Sequence, residues 1–403
     1  MASIPISQLP QSNALSGAEL FPIVQGGTTK HVEVCDFVGG VNNVASNNST
    51  VSSGSTNCAS GTRSIVGSGY KNTASGNCSA VVGGANNTAS GNNSVVAGGS
   101  FNRASNNRSF VGNGNSNKAC GTCSFVGGGC KNTASGTNSF VGNGNSNAAS
   151  GGYSFIGAGR GNTASGCTSV VGGGSSNTAS GYYSFIGGGG YNKAYCVNST
   201  IGGGCNNIAS GNYSIVGGGY YNCASGNCSV VAGGYKNTAS GTNSFIGNGY
   251  YNCASASYST VGGGRCNTAC CTFSVVGGGY KNCASGNSST VAGGRFNKAC
   301  CTDSVVGGGY KNCASGNNSV VAGGGAGYCA CNVASGNCSG ILGGHTNLAT
   351  HDNSFIIGSN ITSVSSNMLH ANTLYLCAAA LPTTDPGIAG VVWNDSGTLK
   401  ISQ

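Results

Sequence analysis

The residues of this 403-residue chain that could do chemistry are 23 cysteines, 16 Lys and Arg, 4 His and only 7 Asp and Glu. The cysteines recur in columns. Cys223, Cys253, Cys283 and Cys313 stand thirty residues apart, as do Cys270 and Cys300. If fifteen residues make one turn of a stacked coil, members of one column lie two strand spacings, about 9.6 Å, apart. That exceeds the roughly 7 Å over which a disulfide can close, so a ladder of intrachain disulfides within one column is excluded. Two readings stay open. Cys270, Cys271, Cys283, Cys300, Cys301 and Cys313 could form interchain disulfides after release from a reducing compartment, or they are small thiols standing in for Ser, Thr and Gly. Their spacings are not those of zinc modules, and no metal or other cofactor is expected.

A second pattern is aromatic and basic. Tyr70-Lys71, Tyr235-Lys236, Tyr280-Lys281 and Tyr310-Lys311 precede an Asn at one corner of the repeat, with Tyr220, Tyr250, Arg160, Arg265 and Arg295 in the same column. Such a stripe can engage glycans or phosphate by stacking and hydrogen bonding; the alternative is a solubilising corner in which each Tyr lies over the neighbouring turn. Catalysis is not expected. The repetitive region offers only Asp303, Asp352, His345 and His351, too few for paired carboxylates or a nucleophile with its base. The Gly-x-Gly runs open no helix, as a dinucleotide motif must. A formal charge of +9 spread thinly over the chain favours solubility over nucleic-acid binding. Asn-x-Ser triplets at Asn77, Asn92, Asn107, Asn212 and Asn227 read as turn chemistry more than as glycosylation sites.

What positions these residues is a repeat. With 76 Gly, 6% charged and 7% aromatic residues, the chain cannot build a core from bulky side chains, and regularity must replace bulk. Asn recurs every fifteen residues from Asn57 to Asn312 and, after a five-residue insertion, at Asn332 and Asn347; Ser does the same from Ser49 to Ser319, then at Ser339 and Ser354. One turn reads SVVGGGYKNCASGNS, Ser274 to Ser288. Two short strand-like segments per unit, separated by Gly-rich corners, predict an all-β parallel roll, one coil per repeat.

Parity then assigns the faces, because side chains alternate along a strand. Ser and the Val or Ile two residues later point inward, and so do Asn and the Ala two residues later. The expected core ladder is Asn72, Ala74, Ser79 and Val81, and again Val276, Asn282 and Ala284, with stacked Asn hydrogen-bonding up and down. The residue after each Ser points outward yet is mostly apolar: Phe110, Phe125, Phe140, Phe155, Phe185 and Phe245 are the largest. An apolar stripe of that extent marks an interface. Self-association along the roll is therefore expected, with Gly67, Ala97, Gly112 and Ala232 at the third position after Ser allowing close approach.

The alternation of Ser-x-Val-x-Gly with x-x-Ala-Ser-Gly over residues 41 to 358 resembles the head repeats of trimeric autotransporter adhesins. The resemblance implies a left-handed parallel β-roll assembled as a parallel homotrimer. The chain departs from that family in its period of fifteen rather than fourteen, and in lacking a secretion signal, coiled-coil stalk and membrane anchor. Residues 4 to 30, with Ser-Gln-Leu-Pro, Leu-Ser-Gly and Pro-Ile-Val-Gln-Gly-Gly, resemble the N-terminal segment of phage tail-fibre proteins. Residues 372 to 402, with Leu-Pro-Thr-x-Asp-Pro and Trp-Asn-Asp-Ser-Gly-Thr-Leu, resemble a terminal module of phage structural proteins; Val391 to Asn394 and Thr398 to Ser402 read as a hairpin around Asp395-Ser396-Gly397.

Three regions follow: 1–40, an attachment and assembly module; 41–358, the repeat; 359–403, a C-terminal hairpin module. The expected function is a structural virion fibre of the tail-fibre type, synthesised in the host cytoplasm without a signal peptide. Its expected partners are two further copies of itself, filaments of such trimers joined end to end, other virion proteins through residues 1–40, and host-surface glycans. Neither nucleic acid nor membrane insertion is expected. The alternatives are a self-assembling extracellular filament or surface adhesin and, third, an ice-binding solenoid, against which the mixed outward column Thr73, Lys118, Cys223 and Ile208 counts.

Overall fold

A computed structural model describes residues 20–25, 28–33, 42–325, 331–373, 381–389, 392–395 and 398–402. They fall into two compact units, Met1–Ser255 and Ala256–Gln403. Both are all-β, with no helix among the described residues, and the repeat forms a parallel β-solenoid of about 22 turns of about 15 residues.

In the first unit each turn carries two two-residue strands. The alanine strand, such as Thr73–Ala74, pairs in parallel with its counterpart fifteen residues on, Ala74 opposite Ala89. The valine strand, such as Ala80–Val81, pairs likewise, Val81 opposite Val96. Between them a third set of parallel bridges joins the corner residues, Tyr70 to Ala85 and Ala85 to Ser100. A parallel ladder suits this chain because a sequence that repeats in register brings like residues together at every step. The interior is Val or Ile against Ala: Val66, Ala74, Val81 and Ala89 have no exposure. Asn72 and Ser79, the polar members of the expected core, are buried with them.

The corners require the left-handed backbone. Gly84, at φ 93°, stands where a Cβ would fall 2.1 Å from the carbonyl oxygen of Gly99 in the next turn, so only glycine fits. The sequence gives less warning of the left-handed residues that carry side chains, among them Lys71 (φ 53°), Cys78 (φ 53°) and Phe101 (φ 56°), one just before each Asn and one just before each Ser. Each such residue costs of order 1 kcal/mol or more on its own, and is held by neighbours: Lys71 N–H donates to Ser55 O at 3.1 Å and Cys78 N–H to Thr62 O at 2.8 Å.

The second unit repeats the scheme. Val276, Asn282 and Ala284 are buried as expected. The five-residue insertion leaves the ladder in step, since Cys313 pairs with Val333 and Ala314 with Ala334. Outside the roll, Val392–Asp395 pairs antiparallel with Thr398–Ile401, a hairpin at the strands expected there, although Ser396 and Gly397 of its turn lie outside the described residues. At the other end Leu20–Gln25 pairs antiparallel with Thr28–Glu33. The sequence reading missed this second hairpin; the Ser-Gln-Leu-Pro and Leu-Ser-Gly motifs lie outside the described residues.

Candidate functional site: the outer faces of the roll

The inner faces are fixed by hydrogen bonds. Asn132 Oδ1 accepts the N–H of Asn147 at 3.0 Å, while its Nδ2 donates to Gly128 O and Gly144 O, each at 2.8 Å. Asn72 and Asn282 repeat the pattern. The expected side-chain to side-chain ladder is thus largely replaced by bonds from side chain to backbone, with Nδ2 reaching the preceding Oδ1 only in turns such as Asn147 and Asn177. A carboxamide can satisfy two carbonyls and one amide at once, which no other neutral side chain of its size does.

The outer face of the valine sheet holds the expected apolar column. Phe110, Phe125, Phe140 and Phe155 stack in series, their ring centroids 4.9, 4.9 and 5.0 Å apart with interplanar angles of 8°, 2° and 6°. These spacings are the strand spacing itself. The first three rings are half-buried by one another; Phe155, Phe185 and Phe245 remain 39–41% exposed. At Gly112 a Cβ would fall 2.2 Å from Gly127 O of the next turn and 3.5 Å from Phe110 Cε1, so the spacing of the turns within the chain already favours a glycine there.

The Tyr and Lys stripe is discontinuous. Lys71 lies 5.0 Å from the Tyr70 ring. Tyr235 stacks between Tyr220 and Tyr250, at 5.5 and 5.0 Å. Lys236 crosses this group, its Nζ 5.0–5.8 Å from the rings of Tyr221, Tyr235 and Tyr251, and donates to Tyr251 Oη at 2.6 Å, which holds the ammonium above the ordinary lysine range. In the second unit Arg265, Arg295 and Lys281 surround the Tyr280 ring, and Lys311 lies over Tyr310. These cations are therefore engaged with rings of their own chain, Tyr lying over neighbouring turns.

The described cysteines are free thiols. Cys270 is exposed, and Cys271, Cys283, Cys300, Cys301 and Cys313 are half-buried. Burial pushes the Cys223 and Cys253 thiols up. The register places two pairs thirteen residues apart as diagonal neighbours on the outer face of the alanine sheet, Cys270 with Cys283 and Cys300 with Cys313. Only columns at multiples of fifteen had been compared, and the diagonal escapes that comparison. Of the sparse catalytic types, Asp352 Oδ1 accepts the N–H of Asn337 at 2.7 Å. His351 Nδ1 lies 3.0 Å from Ser363 Oγ, but that oxygen also takes the N–H groups of Thr350 and His351 and is buried, so Ser363 ties a strand end. Among the described residues no group of three or more His, Cys, Asp or Glu could hold a metal ion, and no helix is long and apolar enough to cross a membrane.

A family model described as grass antifreeze beta roll matches residues 40–142. The match covers turns of the first unit, well under half the chain, and agrees with the β-roll architecture. No curated protein matches the chain.

Proposed function

We propose that the chain is a structural, self-associating β-roll of the fibre type. The observation that supports this reading is the outward apolar column of the valine sheet, with four phenylalanine rings stacked at strand spacing and further Phe at 41% exposure along the same face. A face of this kind left in water is an association hazard. Parallel copies bury it with every turn against its own counterpart, whereas an antiparallel partner would mismatch the turns. Three copies is the number implied by the resemblance to adhesin heads; the resemblance of the two ends to phage structural proteins suggests a virion appendage.

The test is mass in solution by light scattering, for the parent and for a variant with Phe125, Phe140 and Phe155 all changed to Ser. The parent is expected at three chains per particle and the variant at one. A monomeric parent, or a variant whose trimer keeps its stability, assigns the interface to the wrong face.

The second reading, ice binding, is favoured by the family match over residues 40–142. The outer face of the alanine sheet there runs Thr73, Thr88, Arg103, Lys118, Thr133, so charged side chains interrupt what would need to be a flat threonine array. Thermal hysteresis of the purified protein separates the two: a fibre gives none beyond the colligative effect.

A further inference from the structure

Three tyrosines that neither reading uses stand in the first unit at the corner before the Ser ladder: Tyr153, Tyr183 and Tyr213, on alternate turns. They are 63%, 60% and 59% exposed, well above the Phe column, and Tyr182 beside them is as open. Their backbone is pinned. At φ 58°, 55° and 58°, the three N–H groups donate to Thr137 O, Cys167 O and Val197 O of the preceding turn at 2.8, 3.0 and 2.8 Å. Their side chains, by contrast, have no ring, cation or hydrogen-bond partner among the described residues, unlike Tyr220, Tyr235 and Tyr250, which stack on consecutive turns. The alternate spacing is the reason: two strand spacings, about 9.6 Å, are too far for one ring to cover the next. Between the rings stand Thr168 and Asn198, half-buried, with a hydroxyl and a carboxamide to offer. From Thr137 to Cys228 the two residues before each Ser of the ladder are all uncharged.

We propose that this corner binds an uncharged, β-1,4-linked polysaccharide laid along the roll, with Tyr153, Tyr183 and Tyr213 each stacking on a pyranose ring. In an extended chain of that linkage successive sugars are turned over, so the same face recurs once per disaccharide, a length close to two strand spacings. From Tyr153 to Tyr213 is four strand spacings, about 19 Å, so three like-facing sugars of one stretch meet three rings. The C–H face of a pyranose packs on an aromatic face, while Thr168, Asn198 and the tyrosine hydroxyls meet the sugar hydroxyls. The lack of charge at this corner suits a neutral chain. An α-1,4-linked or β-1,3-linked chain coils, and does not present like faces in line at this interval. A seam between copies of the roll would instead place an apolar side chain on every turn, as Phe110, Phe125, Phe140 and Phe155 do.

The experiment titrates the full chain calorimetrically with β-1,4-linked hexamers of glucose and of N-acetylglucosamine, and with α-1,4-linked and β-1,3-linked glucose hexamers. At least one β-1,4-linked hexamer is expected to bind, and the other two linkages on the order of tenfold more weakly or not at all. Changing Tyr153, Tyr183 and Tyr213 together to Asn should abolish binding. Asn occupies the same corner with the same backbone at Asn138 (φ 55°) and Asn198 (φ 54°), so the turns are kept. Because the tyrosines stand two residues before Phe155, Phe185 and Ile215 of the apolar column, mass by light scattering is measured alongside and should equal the parent's, whatever the parent's number of chains. No binding of either β-1,4-linked hexamer, equal binding of all linkages, or a triple variant that binds like the parent would overturn the proposal. A variant with fewer chains per particle would overturn it too, by assigning the tyrosines to a contact between copies.

Discussion

Two polar ladders run inside the roll, and they are not equally employed. Every Asn ladder member with its bonds resolved ties three backbone groups over adjoining turns, as Asn132 does with Gly128, Gly144 and Asn147. The Ser ladder is as deeply buried, yet Ser64, Ser79, Ser94, Ser124 and Ser139 are among those whose hydroxyls have no partner. Elsewhere the same hydroxyl swings to the carbonyl three residues back, as in Ser169 to Gly166 O at 2.7 Å and Ser304 to Cys301 O at 2.6 Å. The difference teaches what burial of a polar group means here. Asn is held because removing it strands a corner, whereas Ser is tolerated because it is small and its rotor has a fallback.

One turn suffices to break or sharpen that comparison, since residues 132 to 146 contain both ladders and the apolar core. Val141→Asp is the largest expected effect. It places a carboxyl in an interior with no exposure and should destabilise by on the order of 5 kcal/mol, read as loss of the cooperative transition or a large fall in the denaturant midpoint. A parent-like melt would refute the inward assignment of valine. Next, Asn132→Leu leaves the Gly128 carbonyl and the Asn147 N–H without their partner and takes one of two donors from Gly144 O, which keeps the Cys130 N–H, and should cost about 2–4 kcal/mol. Were it to melt with the parent, the Asn ladder would be packing alone. Smallest is Ser139→Ala, which deletes a buried hydroxyl with no partner and should change stability by less than about 0.5 kcal/mol in either direction. A loss comparable to that of Asn132→Leu would show that the two ladders are equivalent after all.

The fold was legible because its signals repeat. Parity from Ser139 to Val141 and from Asn132 to Ala134 sets inside against outside, and twenty-odd repetitions leave no room for a register error. Less was legible where the answer depends on what lies one turn away in a direction the columns do not follow. The carbonyls that receive Asn Nδ2 come from the turn's own corner and from twelve residues on, so spacing alone suggested Asn-to-Asn bonds. Lys71 and Phe101 carry no left-handed signature, since it is hydrogen bonds to the preceding turn, Lys71 N–H to Ser55 O and Phe101 N–H to Ala85 O, that hold them there. Which ring each Lys would take was not legible either: Lys236 donates to Tyr251 Oη, and that choice belongs to side-chain geometry.

The in-step pairing of Cys313 with Val333 across a twenty-residue interval, against fifteen elsewhere, carries a further consequence. The stack counts rungs and not residues: Asn332 N–H still finds Asn312 Oδ1 at 3.2 Å as if nothing had been added. Length and decoration are then separable variables. Whole fifteen-residue copies lengthen the roll by one strand spacing each, about 4.8 Å, and the near-duplicate blocks at 269–287 and 299–317, thirty residues apart, correspond to two such steps. The rungs before Gly325 and after Cys331 stay paired across the five-residue insertion, which makes that interval a graft point for a foreign epitope or binding loop.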